Sequence, residues 1–312
     1  MMRAHSFANR EMAAYYLKEL HNRPHTDRKM RVVFLVQDSV IWDKQKPVYD
    51  VFAADETVET VIVLVPTYKA TDSAVQNSVG RYDAHYWHFF HEHYPNVYDF
   101  TNTFDLSVFA PDYIFMASPY EGLRPLVGTR ARDLARIAKL CYVAYGTQGL
   151  KFFIYSETMM PEFFSHLSFY FCDSEEEKSA MEAAYPLTVN AGVQHFEDIG
   201  YPGFEPYLNT PHEERVMRKV LWMPRWNTEE RIGGSHFFAF KDAFLAFAEK
   251  YIRAGIQFVI RPHPLMFDNF VQKGQMTEQE VRDYKAQLEM CGVTWMRGCL
   301  LPRKHCARRL SC

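Results

Sequence analysis

The chain has 312 residues, 48% of them apolar and 16% aromatic, with a formal net charge of −3. That length and apolar fraction suffice for about two globular cores. The near-neutral charge, with no basic run, excludes a general nucleic-acid binder, so any phosphate recognition must come from a local site.

The first 30 residues hold no continuous apolar segment of the signal-peptide kind. They read as an amphipathic helix over Ser6 to Leu20 followed by a polar linker. No stretch approaches the roughly 18 to 20 apolar residues that cross a bilayer. The expected location is cytoplasmic, with peripheral contact at the inner face of the plasma membrane as a further expectation.

From there, short apolar runs alternate with helical stretches, the pattern of a parallel sheet covered by helices. Val32 to Gln37 is the first predicted strand, Lys46 to Ala54 a helix, and Thr60 to Pro66 the second strand. "RYDAHYWHFFHEHY" follows as a helix rich in aromatics, and "DYIFMASPY", from Asp112, gives the third strand. "GTRARDLARIAKL" reads as a helix feeding the short strand "CYVAYG". "SFYFCDSEEEKSAMEAAY" is a strand turning into a helix, with Ser174 as N-cap and Glu175 to Glu177 favourable in the first turn. "FEDIGYPGFEPYL" closes the region with a last strand and a Gly-Tyr-Pro-Gly turn.

Asn209 to Glu214 reads as a linker, after which the alternation restarts: "KVLWMPRW" as strand, "FKDAFLAFAEKYIRAG" as helix, "IQFVIRPHP" as strand, "TEQEVRDYKAQLEMCG" as helix and "VTWMR" as strand. The expected organisation is an N-terminal helix and linker (1–30), a Rossmann-like domain (31–208), a partial second Rossmann-like domain (215–297) and an aberrant tail (298–312). The tail, "GCLLPRKHCARRLSC", has no period, and truncation or a shifted reading frame near Arg297 is expected. Cys141 and Cys172 sit in apolar runs and read as buried thiols. Cys291, Cys299, Cys306 and Cys312 crowd the end beside His305, but no pair has the close spacing of a structural zinc site, so no metal is expected.

The chemistry concentrates where the second domain's strands end. Arg261-Pro262-His263-Pro264 follows an apolar strand, and in open α/β sheets ligands sit at such carboxyl ends. The prolines stiffen the backbone that presents His263. Arg261 offers a planar fork for phosphate oxygens, and His263 a proton or a charged hydrogen bond near neutral pH. Pro224-Arg225-Trp226 ends the preceding strand, so parallel pairing brings Arg225 and Arg261 towards one rim. Gly233, Gly234 and Ser235 then offer an anion nest or simply a helix entry. The His85, His88, His91 and His93 series drifts around a helix. With Tyr86, Trp87, Phe89 and Phe90 interleaved, it reads as an aromatic packing helix rather than a metal site.

"KVLWMPRWN…GGSHFFAF" followed by "FVIRPHP" resembles the CDP-glycerol glycerophosphotransferase family of teichoic-acid polymerases and primases, over residues 28 to 296. "RKMRVVFLVQDSVIWDKQKPVYD", "DYIFMASPY" and "IGYPGFEPY" carry the likeness in the first half. The resemblance implies an α/β fold of the GT-B kind, two Rossmann-like domains facing a cleft with the second incomplete, and no metal or other cofactor. It implies that His263 is catalytic at the donor phosphates, with Arg261, Arg225 and Ser235 binding them. Tyr145 stands where the family carries a second catalytic His, and Gly146 and Thr147 follow it on the acceptor side. It also implies transfer of glycerol phosphate or a related phosphoalcohol from a CDP-linked donor to a polyol-phosphate, glycan or lipid-linked acceptor. The family's Asp-Tyr-Ser-Ser type segment has no match here. Two other expectations stand beside this one: a GT-B glycosyltransferase using a nucleotide-sugar, and an inactive truncated fragment.

Overall fold

The computed structural model describes residues 2–24, 27–37, 39–65, 84–99, 105–124, 127–147, 160–208, 218–229 and 234–296. The chain divides into two compact units, Met1–Thr210 and Pro211–Cys312. The linker Asn209 to Glu214, Gly233 and the tail with Cys299, His305, Cys306 and Cys312 lie outside the described residues.

The first unit runs α1 (Met2–His21), β1 (Met30–Val36), α2 (Ser39–Ala53), β2 (Val58–Leu64), α3 (Ala84–His93), β3 (Val97–Asp99), β4 (Tyr113–Met116), α4 (Ala131–Leu134), β5 (Lys139–Val143), α5 (Pro161–Ser165), β6 (Phe169–Cys172), α6 (Glu175–Ala184), α7 (Pro186–Asn190), β7 (His195–Asp198) and α8 (Glu205–Leu208). Its seven strands form one parallel sheet in the order β3-β2-β1-β4-β5-β6-β7. The α/β expectation holds.

Continuous apolar runs such as "VVFLV" (Val32 to Val36) arise because the strands are buried on both faces. Alternation divides them between two cores. Val32, Phe34, Val36, Ile62, Leu64 and Phe115 pack with Trp42 and Tyr49 of α2 and Phe90 of α3. Val33, Leu35, Val61, Val63, Ile114 and Met116 pack with α4, α5 and α6 through Leu134, Phe163, Phe164 and Met181. Cys141 and Cys172 are buried free thiols in these two cores.

Three local readings differ from the structure. The helix read from Lys46 begins at Ser39 and runs through Pro47. The long helix read over "GTRARDLARIAKL" is helical only over Ala131–Leu134. Lys139 and Leu140 are drawn into β5, where Lys139 pairs with Tyr113. β3 was not read, and the strand read as third is the fourth. The aromatic reading of α3 is met by Phe90, which is fully buried edge-on to Trp42. His91 of that helix lies 3.7 Å from Asp99, which also accepts from Trp87 Nε1 at 2.5 Å. Among the described residues no cluster of three or more His, Cys, Asp or Glu is placed to hold a metal.

The second unit runs β8 (Lys219–Trp222), α9 (Phe237–Ile252), β9 (Gln257–Ile260), α10 (Met266–Gln272), α11 (Glu278–Met290) and β10 (Thr294–Trp295). Its parallel sheet has the order β10-β9-β8. All three helices share one core with Phe258 and Ile260. α11 opens on a capping box between Thr277 and Glu280. No helix among the described residues is long and apolar enough to cross a membrane.

Candidate functional site

In the second unit, β8 and β9 pair in parallel up to Trp222 opposite Ile260. Two further bonds carry the pairing past the strand ends. Arg261 donates its N–H to the Trp222 carbonyl at 2.8 Å, and His263 to the Pro224 carbonyl at 3.1 Å. Pro224 and Pro262, which lack an N–H, are both buried beneath this rim. The loops Pro224-Arg225-Trp226 and Arg261-Pro262-His263 are thereby tied together at the carboxyl end of the sheet.

His263 is exposed, and its ring centroid lies 6.3 Å from that of Trp226. Its Nδ1 accepts from the Leu265 N–H at 3.2 Å, and its carbonyl accepts from the Met266 N–H at 2.9 Å. Partial desolvation of the ring, with the Arg225 guanidinium nearby, lowers its pKa below the usual histidine value. Arg225 and Arg261 are half-buried, and Arg261 forms no ion pair among the described residues.

Ser235 sits one residue before His236, the N-cap of α9. Its Oγ accepts from the Phe237 N–H at 3.1 Å, while its own N–H is held by the Asn227 carbonyl. That amide is therefore occupied, and the hydroxyl proton is the donor Ser235 can offer a ligand. Gly234 is required by close approach: a Cβ there would lie 2.5 Å from the Thr228 carbonyl carbon.

In the first unit, Tyr145, Gly146 and Thr147 follow β5, and Tyr145 and Thr147 are exposed. Tyr145 donates its N–H to the Ala117 carbonyl at 3.1 Å, extending the pairing with β4. Its carbonyl accepts from the Tyr201 hydroxyl at 2.9 Å, and its ring lies 6.3 Å from that of Tyr120. A Cβ at Gly203 would meet the Tyr201 ring at 2.5 Å, which accounts for the second glycine of "GYPG".

Sequence reasoning missed Tyr120, Tyr201 and Leu265. It also missed Arg124, whose fully buried guanidinium donates to the Ser118 carbonyl and to Glu121, both at 3.2 Å. Burial lowers the Arg124 pKa to about 10. Nothing in "EGLRP" signals a buried cation; only the tyrosines, clustered at strand ends, left a trace in the sequence.

No family model matches the chain, and no curated protein does. Solved structures that resemble it include UDP-GlcNAc 2-epimerase from Neisseria meningitidis bound to UDP-GlcNAc, at 13% identity, covering 86% of this chain and 72% of that one with TM-score 0.49. Another is S. aureus MnaA with UDP, at 12% identity, covering 78% and 65% with TM-score 0.43. A third is UDP-GlcNAc 2-epimerase from Methanocaldococcus jannaschii, at 9% identity, covering 87% and 74% with TM-score 0.44. At such values the likeness assigns no residue a role.

These findings correct the family expectation. The solved structures named are UDP-GlcNAc 2-epimerases and a UDP complex, not CDP-glycerol glycerophosphotransferases. The CDP-linked donor, the phosphoalcohol transfer and the teichoic-acid-like acceptors fall with that family. The physical reason is that an Arg-x-His-Pro strand end reports how charge is presented at a sheet's edge. Many chemistries share that geometry on one fold.

Proposed function

We propose that the rim formed by the β8 and β9 loops of the second unit holds the phosphates of a nucleotide-linked sugar, and that the protein is a nucleotide-sugar enzyme. The observation that carries this reading is the bond from the His263 N–H to the Pro224 carbonyl. It fixes His263 beside the Arg225 charge at the end of two parallel strands, where open α/β sheets take their ligands. In this reading Arg261 and Arg225 offset the charge of the phosphate oxygens and the Ser235 hydroxyl adds a donor. His263 meets the same oxygens as the catalytic group of the rim. In the first unit, Tyr145, Gly146 and Thr147 form a second polar edge suited to a hydroxyl-bearing group, with Tyr145 as its reactive member.

Calorimetric titration with UDP-N-acetylglucosamine, UDP and free N-acetylglucosamine tests the reading. Both nucleotide compounds are expected to bind and to raise the melting temperature, and the free sugar to do neither. Failure of every nucleotide to bind would overturn it.

A further inference from the structure

We infer that His263 serves this rim as a neutral hydrogen-bond donor through Nε2–H, with its tautomer set by the Leu265 backbone amide, and that the same ring holds the turn that leads into α10. The inference deepens the nucleotide-phosphate reading and rests on it for the identity of the ligand, but not for the tautomer.

A backbone N–H can only donate. Because Leu265 donates to Nδ1 at 3.2 Å, that nitrogen must present its lone pair, which leaves the ring proton on Nε2. An imidazolium would put two donors face to face at Nδ1 and break the contact. The surroundings act in the same direction: the charge bearing on the ring from the β8 loop is the Arg225 cation, which disfavours a second positive charge. Arg261 lies two residues before the ring in its own loop, and Asp268, in the first turn of α10, is exposed.

The backbone on either side is fixed as well. His263 donates its backbone N–H to Pro224 and accepts at its carbonyl from Met266, so two main-chain bonds hold the residue and the Leu265 bond holds the ring. Nε2 has no protein partner among the described residues. A neutral donor of this kind suits phosphate, carboxylate or hydroxyl oxygens and adds no charge, so the charge of the rim comes from Arg225 and Arg261. In this inference a fixed neutral tautomer takes the place of the proton or charged hydrogen bond expected of His263 from sequence. Ligand binding should therefore stay level through neutral pH.

The test uses the full chain. Long-range ¹H–¹⁵N spectra of ¹⁵N-histidine-labelled protein, with His263 assigned by its loss in His263→Asn, should show a bare Nδ1 and a protonated Nε2 at pH 7. An Nδ1–H tautomer or an imidazolium overturns the inference. Two variants then separate the roles. His263→Asn keeps an acceptor near the position of Nδ1 but lacks the outer donor; its melting temperature should hold while UDP and inorganic pyrophosphate bind about 10-fold more weakly. His263→Gln keeps an outer amide N–H and loses the short-range acceptor; it should melt lower and bind within about 3-fold of the parent. The opposite ranking overturns the inference. If the parent protein binds neither probe, the nucleotide reading fails, and the spectrum still decides the tautomer.

Discussion

Tyr170 on β6 donates its hydroxyl to the carboxylate of Glu177 on α6, inside the core of the first unit. The other Glu177 oxygen accepts from the Asp173 N–H at 2.9 Å, and the Ser174 hydroxyl accepts from the Glu177 N–H at 3.2 Å. One carboxylate thus closes the turn from strand to helix. Burial, the largest cause, pushes its pKa up to about 7.

Because the folded pKa lies above the unfolded value, the native state holds more protons between roughly pH 4.5 and 7. Stability of the first unit should therefore fall as pH rises through that window and level off above it. Glu177→Gln can keep both contacts, its oxygen accepting from Asp173 and its nitrogen donating to Tyr170. Denaturant unfolding of parent and variant across pH 5 to 8 should show the slope only in the parent. The variant should be the more stable above pH 7, by at most about 3 kcal/mol. Parallel curves would show that Glu177 does not titrate there.

Gln45 offers a test free of charge. It lies on the same face of α2 as Trp42 and Tyr49 and is fully buried, and neither its amide nitrogen nor its oxygen has a partner among the described residues. Such a group costs free energy on folding, so Gln45→Met should raise stability by about 1 kcal/mol. A loss of stability in urea titration would mean that the amide is satisfied in solution.

At the rim, Arg225→Gln removes the cation beside His263. The imidazole pKa should then rise towards the ordinary histidine value, as read by an NMR titration of the ring, because the Arg225 charge is one of the two causes that lower it. Affinity for UDP should fall at the same time, by about 10-fold. Arg261→Lys should weaken UDP binding without moving the melting temperature, since an ammonium cannot reproduce the planar fork. A melting temperature that drops with unchanged affinity would mark either arginine as structural.

Gly234→Ala drives a methyl group into the backbone of Thr228 and Glu229 at 2.5 to 2.7 Å. The loop before α9 must shift, costing about 1 to 3 kcal/mol, and should carry Ser235 with it. Calorimetry should show a lower transition and weaker UDP binding together. Unchanged melting would mean that the loop opens at no cost.

The architecture was legible where burial writes directly into composition. Val32 to Val36 and Phe258 to Ile260 are apolar at every position because both sides of each strand are covered. Legibility failed where the same signal has two sources. Ala131, Leu134, Ala135 and Ala138 are all buried at helical spacing, yet the α-helix ends at Leu134; the period recorded burial, not continuous helix. The start of α2 was read seven residues too late, and the helix carries Pro47 in its interior, where a proline is unusual. β3, three residues at the sheet's edge, was too short to carry a period. At the rim, the prolines and arginines were visible in the sequence. The direction of the His263 hydrogen bond was not, since it depends on the turn that brings Leu265 back to the ring.

The sheet order of the first unit also bears on how that unit comes together. Every neighbouring pair is parallel, so no two strands can zip from a tight turn, and each pairing waits for a crossover to close. The inner strand β1, paired with β2 on one side, must find β4, with Val32 opposite Tyr113, before its second edge is satisfied. Until then a strand that is apolar from Val32 to Val36 stays open along one side. Folding should be slow for the unit's size, and refolding yield should fall as protein concentration rises.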